Sequence, residues 1–302
     1  MTASGFNMVG LGEVLWDLLP TGKKLGGAPA NFAYHANLLG NRGVIVSRIG
    51  DDELGQEIRE SLRERHLDLA GLQLDPQYPT GTVDVELDSL GQPSYIIVEN
   101  VAWDQIEWDE GLVQIAVEAD AVCFGTLAQR SPRTRETIRR FLSETPAETV
   151  RLFDVNLRQH YCTTAVLRAS LEAANVVKLN EDELGRVARV LSLGINGDQV
   201  VARALLRTFD LDLVCVTRGA NGSWLVSPDA IHEHPGTKVK VADTVGAGDA
   251  FTAALCHHYL KGSNLATMNA AANAMGAWVA SCAGAMPAAD PQVLARISHT
   301  SG

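Results

Sequence analysis

An α/β fold around a mostly parallel central sheet is the class this sequence predicts, and three observations carry it. Short apolar runs at Ala121–Phe124, Val150–Val155, Val176–Leu179 and Leu213–Thr217 read as strands buried on both faces. Helical spacing fills the gaps between them, at Pro132–Leu142, Ala165–Ala174, Glu181–Leu191 and Asp198–Thr208, and strands separated by helices imply a sheet covered on both sides. The rhythm breaks once. Thr80–Leu87 alternates with period two, Leu90–Pro93 turns and Ser94–Val98 returns. Such a hairpin has nothing of its own to pack on, so it should lie over something as a lid or a subunit contact.

Taken in order, Asn7–Gly12 is a first buried strand ending in glycines. Gly10 and Gly12 invite a dinucleotide-binding reading, but Leu15 stands at the third glycine position and no helix opens there. This weighs against a nicotinamide-dependent oxidoreductase. Glu13–Leu19 reads as an extended piece that carries Asp17 toward a site. In Gly26-Gly27-Ala28-Pro29-Ala30-Asn31, Pro29 suits a first helical turn, and Phe32, Ala36 and Leu39 give the face that Gly40 ends. Asn31 there either meets a ligand or caps backbone. Gly43–Gly50 follows as a strand and Glu53–Arg65 as a helix with Leu54, Ile58 and Leu62 at helical spacing. Near the end, Leu265–Ala283 reads as a long, alanine-rich buried helix containing Asn273.

Composition narrows the function. The 302 residues are 46% hydrophobic and 20% charged, enough to bury a core. A net charge of -11 without a basic stripe argues against a nucleic-acid partner and an acidic membrane surface. The five cysteines are scattered with no C-x-x-C, and Cys123 and Cys215 lie in apolar runs as small core residues. The first residues lack the basic-then-apolar layout of a signal peptide, so a cytoplasmic location is expected.

The densest chemistry is in Asp243-Thr244-Val245-Gly246-Ala247-Gly248-Asp249. Phe251, Leu255 and Tyr259 fall on one face of a helix that starts at these glycines, and Lys261-Gly262 closes it. The first amides of a helix have no internal partner and carry the positive end of its dipole. Without side chains in the way, a phosphate can reach them. Asp249 then stands beside an anion hole, placed to accept a hydroxyl proton while the amides spread charge on a transferred phosphoryl group. Taken alone, G-A-G-D could equally serve close packing, with Asp249 as a first-turn acid that the dipole favours. A classical P-loop and the protein-kinase motifs are absent.

In sheets of this class ligands bind beyond the carboxyl ends of the strands. The polar residues there are Asp154, Asn156 and Arg158, then Asn180 and Glu183, then Thr217, Arg218, Gly219, Asn221 and Gly222. His257 and His258 have no carboxylate or cysteine at ligand spacing and read as surface or packing residues. Trp103 and Trp108 read as hydrophobic anchors.

The D-T-x-G-A-G-D pattern, matched at every fixed position, together with the glycine loop ending in Asn31, resembles the two signatures of the ribokinase-like (PfkB) carbohydrate kinases. The resemblance runs from Gly10 to the helix around Asn273. It implies one ribokinase-like, three-layer α/β domain over 1–302, with a small β-sheet lid formed by segments at roughly 13–27 and 78–102. It implies ATP and Mg²⁺ as cofactors, with K⁺ as a further candidate, and a homodimer paired through the lid.

Carried over position by position, Asp249 is the base and Gly246, Ala247 and Gly248 the anion hole. Asp17, Gly27, Asn31, Asn156 and Arg158 meet the sugar. Lys178, Asn180, Thr217, Arg218, Gly219, Gly222 and Asn273 lie on the nucleotide side. Arg218 stands where many members have Leu, and either touches phosphate or pairs with a surface acid. Glu183 organises magnesium through water, and Asp243 with the Val245 carbonyl could hold a monovalent cation. The segments Val101–Asp104, Cys123–Ser131 and Asp154–Arg158 resemble bacterial fructokinases, with Val155 in place of their usual Pro. The implied reaction is ATP-dependent phosphorylation of fructose to fructose 6-phosphate. Arg158 keeps 2-keto-3-deoxygluconate open as a substrate, and ribose is a further alternative.

Overall fold

The computed structural model describes residues 5–20, 22–87 and 93–298 of the chain. Strands β1 (Asn7–Leu11), β2 (Leu15–Leu19) and β3 (Gly22–Gly26) lead into helix α1 (Ala28–Leu38). Next come β4 (Arg42–Gly50), α2 (Glu53–Glu64), β5 (Asp68–Asp75), β6 (Thr82–Leu87) and β7 (Pro93–Ile97). The chain continues through α3 (Glu110–Glu118), β8 (Ala121–Phe124), α4 (Pro132–Glu144), β9 (Val150–Asp154), α5 (Thr164–Ala173) and β10 (Val176–Asn180). Then follow α6 (Glu181–Val190), α7 (Asp198–Thr208), β11 (Leu213–Thr217), β12 (Ser223–Val226) and β13 (Ile231–His234). Helices α8 (Ala247–Leu260), α9 (Leu265–Ala280) and α10 (Pro291–Ser298) complete it.

Among the described residues these strands form two sheets. The larger has the order β13-β12-β11-β10-β9-β8-β1-β4-β5. It is parallel from β5 to β11, and the hairpin β12–β13 adds antiparallel strands at one edge. Alternation along each strand feeds two cores. Val9, Val122, Phe124, Val177, Val214 and Val216 pack with Leu112, Ile138, Leu167, Leu184 and Leu205 from α3 to α7. Their neighbours Met8, Cys123, Leu152, Val176 and Cys215 point the other way, onto Phe32, Phe251, Leu255 and Met268 of α1, α8 and α9. Continuous apolar strands are what a sheet covered on both faces requires.

The second sheet has the order β3-β2-β6-β7. Pairs β2–β3 and β6–β7 are antiparallel, and β2 runs parallel to β6 with Trp16 opposite Thr82. The expected hairpin and the Glu13–Leu19 piece therefore join in one small sheet. Of the expected turn at Leu90–Pro93, residues 90–92 lie outside the described residues.

Several expectations need correction. Helix α8 is buried all round from Ala250 to His258, not along one face. Small residues at Ala250, Ala253 and Ala254 let it pass between α1 and α9, so the alanine content matters more than the Phe251–Leu255 stripe. Of the surface and packing readings for His257 and His258, packing holds. His258 is buried and its Nε2 lies 2.9 Å from the Ile297 carbonyl, while His257 is close to Asn41. Trp103 is fully buried as an anchor, whereas Trp108 is only half-buried. Gly10 serves packing: a Cβ there would lie 2.0 Å from the Pro29 carbonyl oxygen. No helix among the described residues is long and apolar enough to cross a membrane.

Candidate active site

The site lies where the carboxyl ends of β9 and β10 meet the start of α8. Gly246 takes a left-handed conformation (φ 77°) and turns the chain into α8, with the Ala285 backbone 2.7 Å from where its Cβ would be. Any side chain would lose both the turn and the fit. The Ala247 amide bonds the Thr244 carbonyl, while the amides of Gly248 and Asp249 have no backbone acceptor among the described residues. The dipole end of a fourteen-residue helix is thus presented with two open donors.

Asp249 keeps part of its surface open to the cleft. Its Oδ2 accepts a 2.7 Å hydrogen bond from Asn31 Nδ2, which spans 218 positions of sequence. Desolvation pushes its pKa up to about 6, and Asp154 adds to this, against the Asn31 hydrogen bond, Lys178 and Arg158. Behind it, Lys178 Nζ contacts both oxygens of Asp154 at 3.1 Å, in the register that places Lys178 opposite Asp154 on β10 and β9. Thr252 Oγ1 donates to Asp154 Oδ2 at 3.0 Å and ties the pair to α8. Burial would lower the Lys178 pKa, but Asp154, Glu183 and Asp249 hold it above its ordinary value. A Cβ on Gly248 would be 3.3 Å from Lys178 Nζ, so the ammonium backs the helix start.

The sugar-side candidates gather around Asp249. Asn31 sits on α1, and Gly27 (φ 109°) precedes that helix with its α-carbon against the Glu13–Val14 backbone, where a Cβ would be 2.5 Å from the Glu13 carbonyl. Asp17 lies on β2 of the small sheet. Burial raises its pKa, while Lys24 and Arg158 pull it down. Asn156 adopts φ 38° just after β9 and lines a hollow with Asp154 and Asp249. Arg158 is exposed and forms no ion pair with a described residue, yet it acts electrostatically on Glu13, Asp17 and Asp249 together.

The nucleotide-side candidates have partners of their own. Asn180 and Glu183 form a reciprocal capping box at the start of α6, with Asn180 Oδ1 accepting from the Glu183 amide at 2.8 Å and Glu183 Oε2 from the Asn180 amide at 2.9 Å. Glu183 Oε1 also accepts from the Leu157 amide at 2.8 Å. Thr217 stands opposite Asn180 in the β10–β11 register, and Gly219 opens the turn to Gly222. Arg218 Nη2 donates to Glu233 at 2.8 Å, and the guanidinium stacks over Trp224 at 4.4 Å. Asn273 is buried and spends its Nδ2 on Ser223 Oγ at 2.7 Å and on Asn269. It braces the strand after Gly222 against α9. Asp243 accepts from the Val245 amide, the Gly284 amide and Lys24 Nζ, at 3.1, 3.2 and 3.2 Å.

Two residues that the sequence did not single out, Glu13 and Thr252, line the same hollow, as does Asp154, which the sequence marked at a strand end without a role. Asp154 is signalled only by its place at a strand end, and Thr252 by its spacing from Asp249. Glu13 is signalled by nothing stronger than the preceding Gly12. It is buried, and desolvation pushes its carboxyl up to about 7 against its own and Ala28's backbone amides and Arg158.

The profile of the pfkB family of carbohydrate kinases matches residues 19–292. An uncharacterised sugar kinase of Pyrococcus horikoshii is 31% identical over 279 residues, 85% of this chain and 84% of its own. Its crystal structure superposes with a TM-score of 0.82 at 27% identity, over 97% and 98% of the two chains, and it has also been solved with ATP. The fructokinase of Salmonella typhimurium is 31% identical over 255 residues, 81% of each chain. The fructokinase of Vibrio cholerae, solved with fructose, ADP and calcium, has a TM-score of 0.79 at 25% identity, over 97% and 98% of the two chains. A double mutant of that enzyme was solved with potassium.

Proposed function

Because the chain belongs to the pfkB family of carbohydrate kinases, we propose that it transfers the γ-phosphoryl group of ATP to the terminal hydroxyl of fructose, giving fructose 6-phosphate. One observation carries the reading. Asp249 stands beside two uncommitted amides at the start of α8, joined by a hydrogen bond to the asparagine of the glycine loop. The relatives named as fructokinases support the choice of sugar.

In this scheme Asp249 accepts the proton of the attacking hydroxyl. A base titrating near 6 is mostly ionised at neutral pH and still basic enough to work. Asn31 aims the carboxylate, and the amides after Gly246 meet the charge on the transferred group. Lys178 holds Asp154 as a neutral pair, so the anion hole faces no bare carboxylate from behind. The β3-β2-β6-β7 sheet acts as a lid that excludes water, which would otherwise compete as acceptor. Ile96 on this sheet is 42% exposed beside the buried Ile97, which fits an outer face paired with a second copy as a homodimer.

Bound magnesium would screen the phosphate charge. Each Glu183 oxygen already takes one backbone amide and keeps a second lone pair, which fits contact through a metal-bound water. At Asp243 a monovalent cation would compete with Lys24, whose ammonium lies 3.2 Å from the carboxylate.

A second reading rests on Arg158. An exposed guanidinium at the sugar side, without an ion pair among the described residues, suits an acceptor that carries its own carboxylate, as 2-keto-3-deoxygluconate does. An assay coupled to ADP release, run over fructose, ribose and 2-keto-3-deoxygluconate, decides between them. Fructose giving the highest kcat/KM, with phosphate on the terminal carbon, is the expected outcome. A preference for the sugar acid that vanishes in R158A would reassign the substrate.

A further inference from the structure

Glu13 has no work in the phosphoryl transfer just described, and its surroundings are unusual for a carboxylate. It lies in the link between β1 and β2, only 4% exposed. Its side chain looks into a hollow walled by Asp249, Asp154, Asn156 and Thr252. The backbone amides of Glu13 and Ala28 act on the carboxylate electrostatically, but Oε2 has no hydrogen-bond partner among the described residues. Buried polar atoms are almost always satisfied, and a bare acceptor is disfavoured unless something supplies a donor.

The described cations do not supply it. Lys178 is committed to Asp154, and Arg158 influences Glu13 at a distance without forming an ion pair. Asn31 repeats the pattern, because its Nδ2 holds Asp249 while its buried Oδ1 is also without a partner. The hollow measures about 10 Å³, room for one hydroxyl-sized group and not for a ring.

We propose that Glu13 is a substrate-binding residue whose Oε2 accepts a hydrogen bond from a second hydroxyl of the acceptor sugar, inserted into the hollow beside Asp249. The assignment rests on the kinase reading. It adds a requirement which that reading lacks: the acceptor must carry two hydroxyls that reach Glu13 and Asp249 together. A sugar with only the reacting hydroxyl in place would bind poorly and sit badly for transfer.

Steady-state kinetics of wild type, E13Q and E13A on the preferred sugar and on its set of monodeoxy analogues test this. A hydrogen bond to a charged group predicts that E13A raises the sugar KM by about tenfold or more, leaves the ATP KM in place, and is partly rescued by E13Q, which keeps an acceptor oxygen. For one deoxy analogue, the one lacking the hydroxyl in question, wild type and variants should agree within about twofold. A loss of equal size on every analogue overturns the proposal, as does an unchanged sugar KM. If E13A does not fold, E13Q against the analogue set separates the same outcomes. Wild-type inactivity on every sugar would instead defeat the kinase reading itself.

Discussion

At Asp249 the neighbours disagree about the proton. Desolvation and Asp154 favour keeping it, while Asn31, Lys178 and Arg158 favour giving it up. The balance near 6 predicts that kcat/KM falls as pH drops through that value, since the protonated acid cannot take a second proton. Asp249→Asn should lower kcat by about 10²–10⁴-fold with the fold and nucleotide binding retained. Near-normal turnover in that variant would remove Asp249 from its role. Glu13 makes the same point in stability. Its carboxyl moves from 4.5 unfolded to about 7 folded, so the folded state holds the proton more tightly. Below about pH 4.5 both states are protonated and there is no penalty. As pH rises through 7 the folded state loses on the order of 3 kcal/mol relative to the unfolded chain. Melting curves should therefore show E13Q gaining more over wild type at pH 8 than at pH 5, and equal gains would contradict the buried charge.

At the scale of elements, the capping box of α6 connects two duties. Asn180→Ala removes the acceptor for the Glu183 amide and should cost about 1 kcal/mol, a drop of a few degrees in Tm. Glu183→Gln also weakens the grip on the Leu157 amide, next to Asn156 and Arg158. It should raise the magnesium concentration needed for half-maximal rate. A changed sugar KM with an unchanged magnesium titration would assign Glu183 to loop positioning alone.

The same elements mark what the sequence could reveal. Strands buried on both faces, such as Val176–Asn180, were legible because apart from the central Lys178 and the terminal Asn180 every residue is apolar. Strand β5 was not: Asp68–Asp75 mixes Asp, Gly and Gln because it is an edge strand that pairs only with β4, past an irregularity near Val46. Strand β3, Gly-Lys-Lys-Leu-Gly, is polar for the same reason. In the site, Asp249 and Asn31 are readable because glycines flank them. Glu13 is hidden because a lone acid after a glycine looks like surface, and only the folded chain reveals that α1 and the Asp249 helix close over it.

For the molecule as a whole, an ion pair ties the small sheet to the segment that leads into α8. Lys24 on β3 reaches Asp243, which leads into the Gly246 turn, and it also acts on Asp17, its opposite number across the β2–β3 pair. The ion pair is about half exposed at Lys24, so its value is modest and sensitive to salt. Lys24→Met should raise the sugar KM by roughly a few-fold and flatten its dependence on ionic strength. Sedimentation should give twice the mass of one chain if the lid is also the dimer contact. Ile96→Asp should then yield a monomer, and an unaffected dimer would place the contact elsewhere.

The Asn31–Asp249 hydrogen bond joins positions 218 residues apart, and β1 is an interior strand between β4 and β8. During synthesis the Gly26–Asn31 loop leaves the ribosome long before Asp249 exists, and the last parallel strands must dock before α8 can be seated. An unfinished chain is thus silent toward ATP, and activity reports that both ends of the sequence have met. Cut in the polar segment between β13 and α8, the molecule becomes two pieces, neither able to phosphorylate, whose reunion could be read out as product.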